Sequence, residues 1–66
     1  MKNNIKVQRA VNNLTQAELA SKIGVSRQTI NAMEKGKYIP STLLALKLSK
    51  LFEIPVESIF QLEENE

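Results

Sequence analysis

The sequence predicts an all-α fold, a compact bundle of five helices in one domain over residues 1–66. Three observations predict it. Apolar residues recur at the three- and four-residue spacing of amphipathic helices, Thr15, Ser26 and Ser41 stand as helix caps before these stretches, and Gly24 follows one of them. A chain of 66 residues is also near the lower limit for folding without disulfides or metals, which favours a bundle of short helices.

The first helix is predicted over about residues 3–12, with apolar positions at Ile5, Val7, Ala10, Val11 and then Leu14. A capping box begins the second helix near Gln16. The Thr15 hydroxyl can accept from the Glu18 amide, while the Glu18 side chain reaches back to the Thr15 amide. This helix presents Leu19, Ala20 and Ile23 on one face, and Gly24 can end it in a left-handed conformation.

Ser26 caps a third helix over about residues 27–34, and Gly36 ends it before a basic loop. Ser41 caps a fourth helix over about residues 42–52. Its inward-facing residues are predicted to be Leu44, Ala45, Leu48, Leu51 and Phe52. Pro55 can begin a short fifth helix, which carries Val56, Ile59 and Phe60.

The composition excludes most catalytic chemistry. The chain has no Cys, His, Asp or Trp, which removes disulfides, the usual zinc ligand sets and nucleophilic sites built on Cys or His. We therefore expect no enzyme, no cofactor and no small-molecule ligand. No apolar run approaches the roughly 18 residues of a membrane span, so we expect no membrane association and a cytoplasmic protein.

Charge is distributed unevenly along the chain. Residues 1–50 hold all nine Lys and Arg but only Glu18 and Glu34, whereas residues 51–66 hold five Glu and no base. One part of the protein can thus face a polyanion, and we expect the acidic C-terminal tail, residues 61–66, to turn away from it. From charge alone, an ordinary solvated surface explains the pattern equally well.

The second and third helices match a helix-turn-helix unit at about residues 16–34, in which the second helix enters the major groove of DNA. Ala20 is small where the two helices cross, Gly24 reverses the chain, and Ile30 fills the wedge between the helices. At about 100° per residue, Arg27, Gln28 and Asn31 fall on a polar arc, whereas Ile30 and Met33 fall on a narrow apolar arc.

With these residues placed, the sequence resembles the Cro and phage-repressor type of helix-turn-helix, the XRE family. The resemblance runs from about residue 5 to residue 60 and is densest in "LTQAELASKIGVSRQTINAMEKGKY". The chain looks most like the free-standing single-domain transcriptional regulators of bacteria and archaea. The resemblance implies a lambda-repressor-like bundle that binds double-stranded operator DNA, usually as a homodimer on a pseudo-palindrome.

The resemblance also implies roles for individual residues. The positions expected to read base edges are Ser26, Arg27, Gln28 and Asn31, since Arg can pair with guanine and Gln or Asn with adenine. The positions expected to bind the DNA backbone are Gln16, at the positive end of the second helix, and Lys35, Lys37 and Tyr38 in the basic loop.

Arg9 and Glu34 match family positions that commonly form a buried or half-buried ion pair between the first and third helices. The alternative is that Glu34 only offsets local positive charge at the surface. Glu53 is a departure from the family pattern, because Gly is frequent after the fourth helix.

A dimer contact is expected far from the basic loop, at the start of the fifth helix and at Leu43, Leu46, Ile59 and Leu62. Residues 59–62 could also add a short strand against residues 1–5. The leading hypothesis is a sequence-specific transcriptional repressor. The alternative is a protein-interaction module on the same scaffold, an antitoxin-like partner or an adaptor that acts through Leu43, Leu46 and the acidic tail.

Overall fold

Five helices and two short strands make up the computed structural model, which describes residues 1–66. In chain order they are β1 (Lys2–Asn3), α1 (Ile5–Val11), α2 (Gln16–Ile23), α3 (Arg27–Glu34), α4 (Thr42–Phe52), α5 (Val56–Ile59) and β2 (Phe60–Gln61). The predicted five-helix bundle is therefore confirmed. No helix has the length and apolar character needed to cross a membrane.

The predicted caps begin the three central helices. At the start of α2 the capping box is complete: Glu18 N donates to Thr15 Oγ1 at 3.0 Å and Thr15 N donates to the Glu18 carboxylate at 2.9 Å. Ser26 accepts from Thr29 N at 3.1 Å, and Ser41 accepts from Leu44 N at 3.2 Å. These local hydrogen bonds fix where each helix starts.

Two helices end at residues in the left-handed conformation. Gly24 ends α2 with φ 77°, as predicted, and its N–H donates to the Ala20 carbonyl. Glu53 ends α4 with φ 57°. A residue with a β-carbon is strained there by about 1 to 2 kcal/mol, which explains why glycine suits this position.

The core contains ten apolar side chains drawn from all five helices: Ile5, Leu19, Ala20, Ile23, Ile30, Met33, Leu44, Leu48, Phe52 and Ile59. The apolar positions listed for the first helix do not share one face, since Ile5 is buried whereas Val7 and Val11 are exposed. The helix has only two turns, and Arg9 takes the second inward position through a polar contact.

A two-stranded antiparallel ribbon joins the chain ends, as the sequence suggested for residues 59–62. Lys2 is opposite Gln61 and Asn3 is opposite Phe60. This register brings the acidic tail back along the N-terminal segment, where the Met1 ammonium lies 2.9 Å from Glu66 and 3.4 Å from Glu63.

The tail does not turn away from the basic part of the protein, contrary to the prediction. Glu63 lines the same surface cleft as Lys35 and Gly36, beside the end of α3. The reason is the strand pairing, because β1 packs against that end of α3 and β2 must follow β1.

Candidate nucleic-acid interface

Helix α3 is held on the bundle by one narrow apolar face. Ile30 and Met33 are fully buried, and Ile30 packs in the same core as Ala20 of α2. The turn between the helices is closed by Val25 N, which donates to the Ala20 carbonyl at 3.0 Å. The small side chain of Ala20 lets the two helices approach, so α2 and α3 form a rigid helix-turn-helix.

The exposed side of α3 begins with two side chains that have no role in the fold. Arg27 and Gln28 are exposed, and neither makes a side-chain hydrogen bond to the rest of the protein. Asn31 is half-buried one turn further along. Ser26 has a structural use, because its hydroxyl caps α3 and lies 2.9 Å from the Thr29 hydroxyl.

The basic loop follows α3 directly. Lys35, Lys37 and Tyr38 are all exposed, and the loop is shaped by Gly36 at φ 73° and by Lys37 N, which donates to the Ala32 carbonyl at 2.9 Å. Neither lysine forms an ion pair, since the salt bridges in the structure involve only Arg9 and the N-terminal ammonium. The ammonium groups of Lys35 and Lys37 are therefore free to bind an anion.

Arg9 and Glu34 form a half-buried ion pair between α1 and α3, where the family resemblance placed one. Arg9 Nε donates to Glu34 Oε2 at 2.6 Å and Arg9 Nη2 to Glu34 Oε1 at 3.2 Å, while Arg9 Nη1 donates to the Leu14 carbonyl at 3.0 Å. The Glu34 side chain is only 8% exposed. A solvated surface acid, the alternative interpretation, does not fit this burial.

The pair shifts both pKa values toward the charged forms. The hydrogen bond to Glu34 raises the pKa of Arg9 above its usual value. Burial alone would raise the pKa of Glu34, but hydrogen bonds from Arg9 and Gln16, with the charges of Arg9 and Lys6, outweigh it and lower that pKa. Both groups stay charged at neutral pH.

Gln16 has a partner that the sequence did not indicate. Its Nε2 donates to Glu34 Oε1 at 3.1 Å and contacts Asn31 Oδ1 at 3.4 Å. Both amide hydrogens are used within the protein, so the side chain offers no free donor to the phosphate predicted for it. The backbone N–H groups of Gln16 and Ala17 remain at this end of the helix, because Glu18 N already donates to Thr15.

Asn3 makes two hydrogen bonds that the sequence did not indicate. Its Nδ2 donates to the Met33 carbonyl at 2.8 Å, and its Oδ1 accepts from Ile5 N at 3.2 Å. One side chain thus ties β1 and the start of α1 to the end of α3. A single Asn in a polar N-terminal segment has no local pattern that could reveal a partner thirty residues away.

Of the four residues predicted at a dimer contact, three are exposed and one is buried. Ile59 was wrongly placed there, because its side chain is fully buried in the core. Leu46 is exposed and lines an apolar cleft with Ile39, Val56 and Phe60. Leu43 and Leu62 are also exposed but lie outside this cleft.

The fold and this face define a helix-turn-helix protein. A family model described as "Helix-turn-helix" matches residues 5–59, and the chain belongs to this helix-turn-helix family.

Several relatives are themselves named as regulators. A protein of Methanocaldococcus jannaschii, named an uncharacterized HTH-type transcriptional regulator, is 58% identical over 66 residues, which is the whole of both chains. A protein of Bacillus subtilis with the same description is 50% identical over 64 residues, 97% of each chain. The chain also matches a solution structure of the SOS-response transcriptional repressor LexA from Eubacterium rectale. The TM-score is 0.80 and the identity 32%, over 96% of this chain and 67% of that one.

Proposed function

We propose that the protein is a sequence-specific transcriptional regulator, acting as a repressor, that binds double-stranded DNA by placing α3 in the major groove. One observation carries the proposal. Arg27 and Gln28 project from α3 without any partner in the protein, next to a basic loop whose lysines are also unpaired. Side chains with no role in the fold, on the outer helix of a helix-turn-helix, are placed for a ligand outside it.

Base reading and backbone binding fall to different residues. Arg27 can donate two hydrogen bonds to guanine O6 and N7, and Gln28 can pair with adenine. Lys35, Lys37 and Tyr38 follow the C-terminal end of α3, where a DNA strand passes beside the groove. A second phosphate contact lies at the start of α2. There the backbone N–H groups, and not the side chain of Gln16, donate to the phosphate.

A homodimer is part of the proposal. One recognition helix reads few base pairs, so two copies should occupy half-sites about 34 Å apart. The apolar cleft that contains Leu46, Ile39 and Val56 lies at the N-terminal end of α4 and α5, and its exposed apolar side chains fit a second copy of the same surface.

An interaction module, antitoxin-like or an adaptor, is the alternative function. Leu43 and Leu46 are 62% and 56% exposed, which a protein partner could use. The free cationic side chains of Arg27, Lys35 and Lys37 favour DNA, since a module released from DNA has no need for them. In either role the protein works by binding, without catalysis or a cofactor, and we place it in the cytoplasm.

Substitutions on the two parts of the interface should act differently. Arg27→Ala is expected to cost about 1 to 3 kcal/mol of discrimination at one base pair. Lys37→Ala should weaken binding to all sequences and reduce the slope of log affinity against log salt by about one unit. Selection from random DNA followed by salt titrations would measure both, with an unchanged thermal melt as the control for folding. A purified protein that prefers no sequence at moderate salt would favour the interaction module.

The dimer contact can be tested separately. Leu46→Glu is expected to abolish dimers, because a carboxylate would be buried without a partner in an apolar contact. Val11→Glu is the matched control, since Val11 is also apolar and 69% exposed but lies on α1 and does not line the cleft. Sedimentation velocity with and without operator DNA measures the outcome. A wild-type protein that stays monomeric on its operator contradicts the proposal.

A further inference from the structure

A chain of polar contacts runs from the half-buried Arg9–Glu34 ion pair to the DNA-facing side of α3. Arg9 donates to Glu34 at 2.6 Å, Gln16 Nε2 donates to Glu34 Oε1 at 3.1 Å, and the same nitrogen contacts Asn31 Oδ1 at 3.4 Å. The chain connects three helices and ends at Asn31, the half-buried member of the base-reading set.

The direction of this chain is fixed by its charged end. Arg9 can only donate, and the ionised Glu34 beside it can only accept. Gln16 must therefore turn its NH2 group, not its oxygen, toward Glu34. The second hydrogen of that NH2 group points to Asn31, which must accept it with its side-chain carbonyl oxygen.

Asn31 is left with one free polar group. Its Oδ1 faces Gln16 of α2, and its Nδ2 makes no hydrogen bond within the protein, yet is not among the buried polar atoms that lack a partner. Nδ2 is therefore accessible to solvent, and it carries two hydrogens.

We propose that Gln16 is a positioning residue that makes Asn31 a donor-only reader of bases, an inference that rests on the proposed DNA-binding function. A freely rotating Asn pairs with adenine, because its oxygen accepts from N6 while its nitrogen donates to N7. With the oxygen turned to α2, Asn31 presents only N–H groups. It then favours acceptor edges, guanine O6 and N7 above all, over adenine.

The first part of the test uses the free protein. Side-chain amide hydrogen exchange is measured by NMR for Gln16, with Gln28 as the matched control, since Gln28 is an exposed carboxamide without a partner. The Gln16 protons are expected to exchange several-fold more slowly. Gln16→Leu should shift the resonances of the Asn31 NH2 group and leave those of Gln28 unchanged. Equal exchange rates for Gln16 and Gln28 would overturn the inference.

The second part uses selected DNA. The base pair read by Asn31 is the one whose preference disappears in Asn31→Ala. There the wild type should prefer guanine, and Gln16→Leu should shift relative affinity toward adenine by about fivefold or more, which corresponds to at least about 1 kcal/mol. Thr15→Ala is the control, because it weakens the start of α2 without touching the chain of contacts, and it should keep the guanine preference.

Failure of the inference about Gln16 and Asn31 can be distinguished from failure of the proposed DNA-binding function. If the wild type prefers adenine at this base pair, or if Gln16→Leu leaves the preference unchanged, the inference is wrong while sequence-specific binding stands. If no protein selects any sequence, the proposed function fails, and the reading role of Asn31 fails with it. The exchange rate of Gln16 in the free protein still shows in that case whether the contact with Glu34 forms.

Discussion

Glu34→Ala is expected to lower the free energy of unfolding by about 3 to 5 kcal/mol. The substitution leaves the Arg9 guanidinium, 15% exposed, without its carboxylate and removes the acceptor of Gln16. A domain of this length has a total stability of roughly 3 to 10 kcal/mol, so the variant should be largely unfolded or close to it. Circular dichroism during thermal and urea denaturation measures the loss.

Most of the expected loss of stability comes from leaving the Arg9 charge half-buried without a partner. The lost attraction between Arg9 and Glu34 contributes less. The double variant Arg9→Met with Glu34→Leu is therefore expected to be more stable than Glu34→Ala alone, since it leaves no unpaired charge in the bundle. A melting curve of Glu34→Ala that matches the wild type would mean that the pair has no energetic role.

The same pair should contribute to acid sensitivity. The pKa of Glu34 is lowered in the folded protein. The contribution of the ionised Glu34 to the free energy of unfolding is therefore fully present above the unfolded-state pKa of about 4.3. It is lost as the pH falls through that value toward the lower folded pKa. The wild type should lose stability below about pH 4.3 more steeply than Glu34→Gln, which cannot titrate at this position.

Features encoded by neighbouring residues could be predicted from the sequence. The capping box at Thr15, the caps at Ser26 and Ser41 and the left-handed turn at Gly24 each depend on residues within three or four positions of the backbone groups involved. They fix the helix boundaries. Burial of Ile30 and Met33 on one side of α3 then leaves Gln28 exposed on the other side.

Features that depend on distant partners could not be predicted in this way. Gln16 meets Glu34 across 18 positions, and Asn3 meets Met33 across 30. Each contact depends on how helices and ribbon pack, which no local pattern specifies. The position of the acidic tail was wrong for the same reason, because the register of a two-residue strand decides it.

Ile59→Ala is expected to cost about 2 to 5 kcal/mol of stability. Ile59 is fully buried, and its carbonyl accepts from Asn4 N at 3.0 Å, so it anchors the C-terminal end of α5 to the start of α1. Removing most of this side chain leaves a cavity where three parts of the chain meet: the ribbon, α5 and α1.

Leu62→Ala is the matched control, with an expected change within about 0.5 kcal/mol, because Leu62 is 76% exposed. The two residues look equivalent in the sequence, since a spacing of three puts them on one side of a continuing helix. The helix stops at Ile59, however, and the chain is extended from Phe60 onward. Urea denaturation of both variants at equal concentration separates the cases: equal losses would mean that Ile59 and Leu62 share one surface, whereas a loss confined to Ile59→Ala assigns Ile59 to the core.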